Sequence, residues 1–290
     1  MKCTKALLII FLLGLQVHLH AQFQFGFRAG LNYSSVDEPS ELHPMDATPL
    51  ESYQNSRGFH LGMSFGYEFY DFLGVRGEFL YNQKGYQYLY QGPAYQFFNS
   101  ANGQRVLTTG DKVTVIENSN AYIDFPISFY VKPIQKLEIS AGIGIGFLVS
   151  AYGNGVTNYN NISGNVVDQS WELNYNYFRD EAGQGITTEE NTFFVNGALI
   201  NGLVSTGAYY DETELDGKYF NGVNINIHGA LTYYLNNSVY LSGRYFYGLS
   251  DITNDNYSFI KAELDDNQAR IPNPRDTRSL STQISLGFYF

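Results

Sequence analysis

The sequence predicts an all-β protein, a closed antiparallel transmembrane β-barrel of about eight strands with both termini on one side. Three observations predict this fold: an N-terminal segment typical of exported proteins, segments in which apolar and polar residues alternate, and connections that alternate between short and long. Ten strands are the alternative, because the longest connection has room for a hidden hairpin.

The first 21 residues have the features of a signal peptide. Lys2 and Lys5 form a basic start, residues 6–15 form an apolar core, and Ala21 supplies a small residue for cleavage. Ten apolar residues are too few to span a bilayer as a helix, which needs about 20. Cys3 precedes the apolar core, so a lipoprotein anchor is not expected. We therefore expect one exported domain over 22–290, located in the cell outer membrane.

The composition excludes several classes of protein. Aromatic residues make up 17% of the chain and charged residues 16%, whereas an ordinary soluble domain carries about 25% charged residues. The formal net charge of −11 gives a nucleic-acid partner no electrostatic support. No later run approaches 18 apolar residues, so transmembrane helices are not expected.

Alternation with a period of two predicts eight strands, and no charge lies on the apolar face of any of them. The predicted strands cover residues 22–33, 59–69, 75–84, 122–132, 137–150, 223–233, 239–248 and 280–290.

The polar face indicates which way these strands point. It is rich in Gly, Ser, Asn and Gln, which suit a crowded interior better than a solvated exterior, and Tyr and Phe cluster at strand ends as in an interfacial girdle. We therefore predict that the apolar face contacts lipid. The alternative is a soluble, lipocalin-like binder with its apolar face inside.

The connections support the membrane interpretation. Short turns are predicted at 70–71, 132–135 and 236–237, whereas long polar connections are predicted at 35–57, 91–119, 153–219 and 250–277. Short periplasmic turns and long extracellular loops are typical of outer-membrane barrels. The connection at 153–219 is interpreted as a long loop insertion of undefined fold.

Five stretches of the sequence resemble the PorT-like family of outer-membrane β-barrel proteins of Bacteroidetes. They are QKG at 83–85, YIDFPI at 122–127, SAGIGIGFLVSA at 140–151, SGRYFYGL at 242–249 and SLGFYF at 285–290. The family takes its name from a member implicated in protein secretion across the outer membrane. The resemblance implies the barrel, but barrel motifs alone do not transfer that role.

Six polar residues are predicted to face the interior near mid-height as a lumen polar network. They are Arg28, Arg76, Glu78, Asp124, His228 and Arg244. Buried charges are costly unless they are paired, so the three arginines are expected to pair with the two carboxylates. The interpretation is a closed structural network, and the alternative is a narrow gated pore.

No catalytic, cofactor-binding or metal-binding residue is predicted. The exported part contains only His43, His60 and His228, none beside a recognisable nucleophile pattern. The acidic stretch at 211–217 has Leu215 where an EF-hand loop needs an oxygen ligand, so a solvated loop is expected there.

The predicted role is a non-enzymatic scaffold or partner-binding protein acting through long extracellular loops. A channel or a component of a transport or secretion system is the alternative. The expected contacts are outer-membrane lipid, lipopolysaccharide and possible secretion or surface partner proteins. Phe288 and Phe290 resemble a C-terminal signal for the barrel-assembly machinery.

Overall fold

A computed structural model of the chain describes residues 22–100, 102–164, 166–178, 186–207 and 218–290. The predicted signal peptide and the acidic stretch at 211–217 lie outside these ranges. The regular structure of the described residues is β-strand, apart from a short 3-10 helix at Asp255–Tyr257. No helix in the described ranges has the length and hydropathy needed to cross a membrane.

Thirteen strands are present in the described part of the chain. They are β1 Gln22–Asp37, β2 Glu51–Tyr70, β3 Leu73–Asn99, β4 Arg105–Ile134, β5 Leu137–Asn160, β6 Gln169–Asn176, β7 Ile186–Val195, β8 Ala198–Thr206, β9 Val223–Tyr234, β10 Val239–Gly248, β11 Phe259–Leu264, β12 Arg270–Pro272 and β13 Arg278–Tyr289.

Eight of these strands form a closed antiparallel ring. The pairing runs β1–β2–β3–β4–β5–β9–β10–β13 and returns from β13 to β1. The predicted number of about eight therefore describes the ring, whereas β6, β7, β8, β11 and β12 lie outside it. Because each ring strand has a neighbour on both sides, the ring leaves no row of backbone groups unpaired along an edge.

The ring reverses the burial pattern of a soluble protein. Along β9, Ile227 and Leu231 are 44% and 54% exposed, whereas His228 and Thr232 are 5% and 2% exposed. The other ring strands repeat this arrangement, with apolar residues outside and Ser, Asn, Gln and charged residues inside. An apolar exterior is unfavourable in water and favourable in hydrocarbon. The predicted outward orientation of the apolar face is what the structure has.

Several predicted connections are in fact strands. The interpretation of 91–119 as a loop is wrong, because β3 and β4 continue as one long hairpin whose pairing extends to Asn99 and Arg105. The interpretation of 153–219 as a loop insertion is also corrected: residues 153–160 continue β5, and β6, β7 and β8 follow. The turn predicted at 132–135 is shorter than expected, since β4 reaches Ile134 and β5 begins at Leu137.

Beyond the ring, these extra strands form what we call the distal extension: residues 85–99, 105–120 and 151–160 of β3, β4 and β5 together with β6, β7, β8, β11 and β12. It begins where β5 leaves β9 at Phe147 and pairs instead with β6 from Tyr152 onward. Its interior is apolar, with Tyr90, Trp171 and Leu173 almost fully buried. The distal extension therefore has a core of the kind found in water-soluble proteins.

Glycines on the inner face allow neighbouring strands to approach closely. A Cβ added to Gly142 of β5 would lie 1.9 Å from the carbonyl oxygen of Ile127 and 2.8 Å from Cα of Ser128. Gly243 of β10 lies on the outer face of the same ring, where an added Cβ would meet nothing within 4 Å.

We predict that Gly142→Ala destabilises the ring and that Gly243→Ala does not. Forcing an extra carbon into packed structure typically costs about 1–3 kcal/mol. The measurement is the temperature at which the compact, fast-migrating band of the unboiled protein is lost on SDS gels. Equal transition temperatures for the two variants would contradict the close approach of β4 and β5 at Gly142.

Candidate functional site

The structure places all six predicted lumen residues inside the ring, where each is at most 5% exposed. Small residues beside them leave room for long side chains. Arg28, for example, is paired with Gly62 on β2 and with Gly287 on β13. The six residues belong to separate groups, one around each carboxylate and one around His228.

The first group joins opposite walls of the ring through Glu78. Arg244 on β10 donates from Nη1 to Oε2 of Glu78 at 2.8 Å and from Nη2 to Oε1 at 2.6 Å. Arg28 on β1 donates from Nη1 to the same two oxygens at 3.1 and 3.3 Å. One carboxylate on β3 therefore holds two guanidinium groups, one from β10 across the ring and one from β1, two strands away.

The second group lies nearer the short turns. Arg76 donates from Nη1 and Nη2 to the two oxygens of Glu138 at 2.7 and 2.8 Å, and the hydroxyl of Tyr234 donates to Oε2 at 2.6 Å. The Arg76 guanidinium also lies over the rings of Tyr130 and Tyr289, at 4.8 and 5.2 Å from their centroids. This bidentate pair is sandwiched by aromatic rings.

The third group lies toward the distal extension. Nζ of Lys84 is 2.9 Å from Oδ2 of Asp124, and Nδ2 of Asn82 donates to the same oxygen at 2.5 Å. His228 is held separately, with its Nε2 2.8 Å from the hydroxyl of Ser128.

The predicted pairing is therefore only partly the observed one. Arg28 and Arg244 do meet Glu78, but Arg76 pairs with Glu138, and Asp124 pairs with Lys84. Both partners that were missed lie on polar faces in the sequence, so period-two alternation was a signal that could have included them. What alternation does not provide is the height of each residue in the ring.

A serine, a histidine and an asparagine also lie in line inside the ring. The Ser285 hydroxyl is 2.7 Å from Nε2 of His60, and Nδ1 of His60 is 2.6 Å from Oδ1 of Asn32. This order resembles a nucleophile, a base and an orienting group. However, His60 and Ser285 are each 1% exposed, and Nη2 of Arg28 donates to the serine hydroxyl at 2.5 Å. A substrate would reach this hydroxyl only if the network opened.

A further charged cluster lies outside the ring and attaches the long connections to the start of β2. Arg275 pairs with Glu51 and, at 3.1 Å, with Glu38, whereas Nζ of Lys261 lies 2.8 Å from Glu51. The hydroxyl of Tyr88 also donates to Glu51 at 2.7 Å. Burial alone would raise the pKa of Glu51, but the charges of Lys261 and Arg275 outweigh it and lower that pKa to about 2.

The described residues contain no group of three or more His, Cys, Asp or Glu side chains arranged to hold a metal ion. His43, the remaining histidine of the described residues, lies in the connection between β1 and β2 with its Nδ1 3.2 Å from Asp46.

Comparison with known proteins identifies the family. The model of the outer membrane protein beta-barrel domain matches residues 16–254, most of the chain, and the chain belongs to this family. Its place is therefore the outer membrane, which the ring strands cross with their apolar faces in lipid.

Solved structures show weaker likenesses. The attachment invasion locus protein Ail of Yersinia pestis is 11% identical, with 93% of this chain and 99% of that chain covered and a TM-score of 0.35. OprG of Pseudomonas aeruginosa is 12% identical, with 93% and 97% covered and a TM-score of 0.36. Likenesses of this size indicate nothing about function. No curated protein matches the chain.

We predict that Glu78→Gln destabilises the protein more than Arg244→Gln does. Loss of the Glu78 charge leaves two buried guanidinium groups without their anion, which costs about 3–5 kcal/mol, whereas loss of Arg244 leaves the Arg28–Glu78 pair in place. Urea unfolding in detergent micelles measures both variants. An Arg244→Gln variant at least as unstable as Glu78→Gln would contradict the shared carboxylate.

We predict that the cluster at Glu51 loses stability in acid. The folded pKa of this carboxyl lies below its ordinary value of 4.5, so its contribution is complete above that pH and falls as the pH drops toward about 2. Melting temperatures measured across this interval should fall less steeply in Glu51→Gln than in the unmodified protein. Parallel curves would show that the ionised Glu51 does not stabilise the fold.

Proposed function

We propose that this outer-membrane barrel is a non-enzymatic scaffold with a closed lumen, which binds a partner through its distal extension on the cell surface. The observation that carries this proposal is the Arg28–Glu78–Arg244 bridge across the ring. The eight ring strands are the membrane-crossing strands, with the short turns and the chain ends in the periplasm.

The packing of the interior supports a closed lumen. A barrel of eight strands has an interior only wide enough to be filled by side chains. Large side chains inside the ring, among them Tyr122, Tyr130, Tyr240, His60 and Gln283, are less than 2% exposed. With the charged groups paired between them, we expect the interior to leave no continuous path for ions.

The shape of the distal extension supports a partner-binding role. In the described residues the main sheet ends at β7, which pairs with β8 on one side only. On these two strands Ile186, Phe194 and Val204 are 62%, 65% and 46% exposed. A free strand edge beside exposed apolar side chains suits a protein partner that adds a strand.

Within the proposed function the chain is a PorT-like protein, and lipopolysaccharide surrounds the base of its distal extension. A protein of the secretion apparatus is one example of a partner that would dock at the free edge of β7. Phe290 stacks on Phe25 outside the ring, 5.8 Å between centroids, where a barrel-assembly factor would meet it.

We predict that the unmodified protein gives no ion conductance in planar lipid bilayers. The variant Arg28→Ser/Glu78→Ser/Arg244→Ser, which removes the bridge, should give discrete conductance steps because its interior becomes hollow and polar. Gly243→Ala serves as a control for protein quality. Steady conductance from the unmodified protein would instead identify it as a narrow channel.

We predict that Ser285 does not react with a fluorophosphonate probe in the folded protein, because its hydroxyl is buried and held by Arg28. Labelling is followed by in-gel fluorescence on native protein, with Ser285→Ala as the comparison. Labelling that disappears in Ser285→Ala would reveal a reactive nucleophile and overturn the non-enzymatic assignment.

A further inference from the structure

A cavity of about 140 Å³ lies inside the distal extension, above the charged groups of the ring. Of the described residues that line it, eleven carry a Tyr or Phe ring. Two groups of rings form two walls of this cavity. Tyr53 lies 6.0 Å from Tyr86 and 5.7 Å from Tyr88, centroid to centroid, whereas Tyr177 lies 5.2 Å from Tyr175 and 4.7 Å from Tyr219.

Asn118 on β4 lines the cavity between these walls. It is paired with Tyr86 on one neighbouring strand and with Gly153 on the other. A Cβ at Gly153 would lie 3.0 Å from Oδ1 of Asn118 and 2.8 Å from the ring of Tyr177, so this glycine is what lets the amide and the second wall approach each other.

The Oδ1 atom of Asn118 is buried and accepts no hydrogen bond from the described residues. Asn118 itself is 3% exposed. A buried amide oxygen without a donor is unfavourable by about 1–3 kcal/mol. A ligand that brings an O–H or N–H group to this position would therefore gain affinity there.

The size of the cavity sets the size of the ligand. An engineered apolar cavity of about 150 Å³ in another protein accommodates benzene. The cavity described here has nearly the same volume. Its lining includes charged side chains, such as Glu51, Lys261 and Arg275, which are paired with one another, and the buried amide oxygen of Asn118. Flat aromatic walls also favour a ring that packs edge-to-face or offset against them, by about 0.5–1.5 kcal/mol for each pair.

We propose that this cavity binds a small single-ring aromatic compound with a hydroxyl group, of the phenol class. The ring lies between the two tyrosine walls, and the hydroxyl donates to Oδ1 of Asn118. This assignment goes beyond the scaffold role, since it gives the distal extension a small-molecule ligand and not only a protein partner.

The test is isothermal titration of phenol into the refolded full chain in detergent micelles, with toluene and cyclohexanol as comparison ligands. Phenol should bind saturably with one site per chain. Cyclohexanol, which keeps the hydroxyl but lacks the flat ring, should bind at least about tenfold more weakly.

Substitutions at two adjacent positions distinguish binding of phenol in the cavity from partitioning of phenol into the micelle. Ile116 lines the cavity, whereas Val115 faces outward on the same strand and is 36% exposed. Ile116→Trp should abolish phenol binding, and Val115→Trp should leave it unchanged, with both variants checked for the compact band on unboiled gels. Equal phenol binding by the two variants would overturn the proposal.

A third variant tests the hydrogen bond. Asn118→Leu should weaken phenol binding by about tenfold and leave toluene binding within about twofold, because only phenol donates to the amide. Equal losses for both ligands, or phenol affinity no higher than that of cyclohexanol, would refute the assigned hydroxyl contact. These titrations measure neither conductance nor partner binding, so a failure to bind phenol would not contradict the scaffold proposal, which the conductance experiment tests.

Discussion

The pairing of every backbone amide across the membrane is the constraint on which the rest of this structure depends. Hydrocarbon offers no hydrogen-bond partners, so a sheet that crosses it must close on itself. Here the closure is made by the pairing of β1 with β13 and of β4 with β5. Since side chains alternate along each strand, turning the apolar face to lipid turns the polar face inward. The buried charges of the interior are a consequence of that geometry.

The same constraint explains why the buried face of β3 changes from polar to aromatic residues along the strand. Within the ring, Asn82 and Lys84 point inward, and farther along Tyr86, Tyr88 and Tyr90 occupy the equivalent inner positions. Outside the membrane the solvent is water, so the distal extension buries its aromatic rings as a soluble domain does. The tyrosine cavity lies just past this change, with a polar network below it and aromatic walls around it.

Alternation in the sequence was enough to predict the ring strands and the direction of their faces. At 223–233 it assigns every residue to the side that the structure gives it. The partners of the charges were harder to predict, because Arg76 on β3 meets Glu138 on β5 only through the stagger of three neighbouring strands. The hairpin at 91–119 was not predicted because of its local sequence. Gly92 and Pro93 are residue types typical of loops, yet both lie in register with β4.

The central claim is that one face of each ring strand contacts lipid and the other faces a closed interior. The only cysteine of the sequence is Cys3, so in a Cys3→Ser background single cysteines introduced at successive positions from 225 to 231 can carry a spin label at one site only. We expect the spin labels at 225, 227, 229 and 231 to collide frequently with dissolved oxygen, which concentrates in lipid, and the labels at the positions between to collide with it rarely. A water-soluble relaxation agent should reach neither set. Strong collisions with the water-soluble relaxer at 225 and 227 would place that face in water and contradict the membrane-spanning ring.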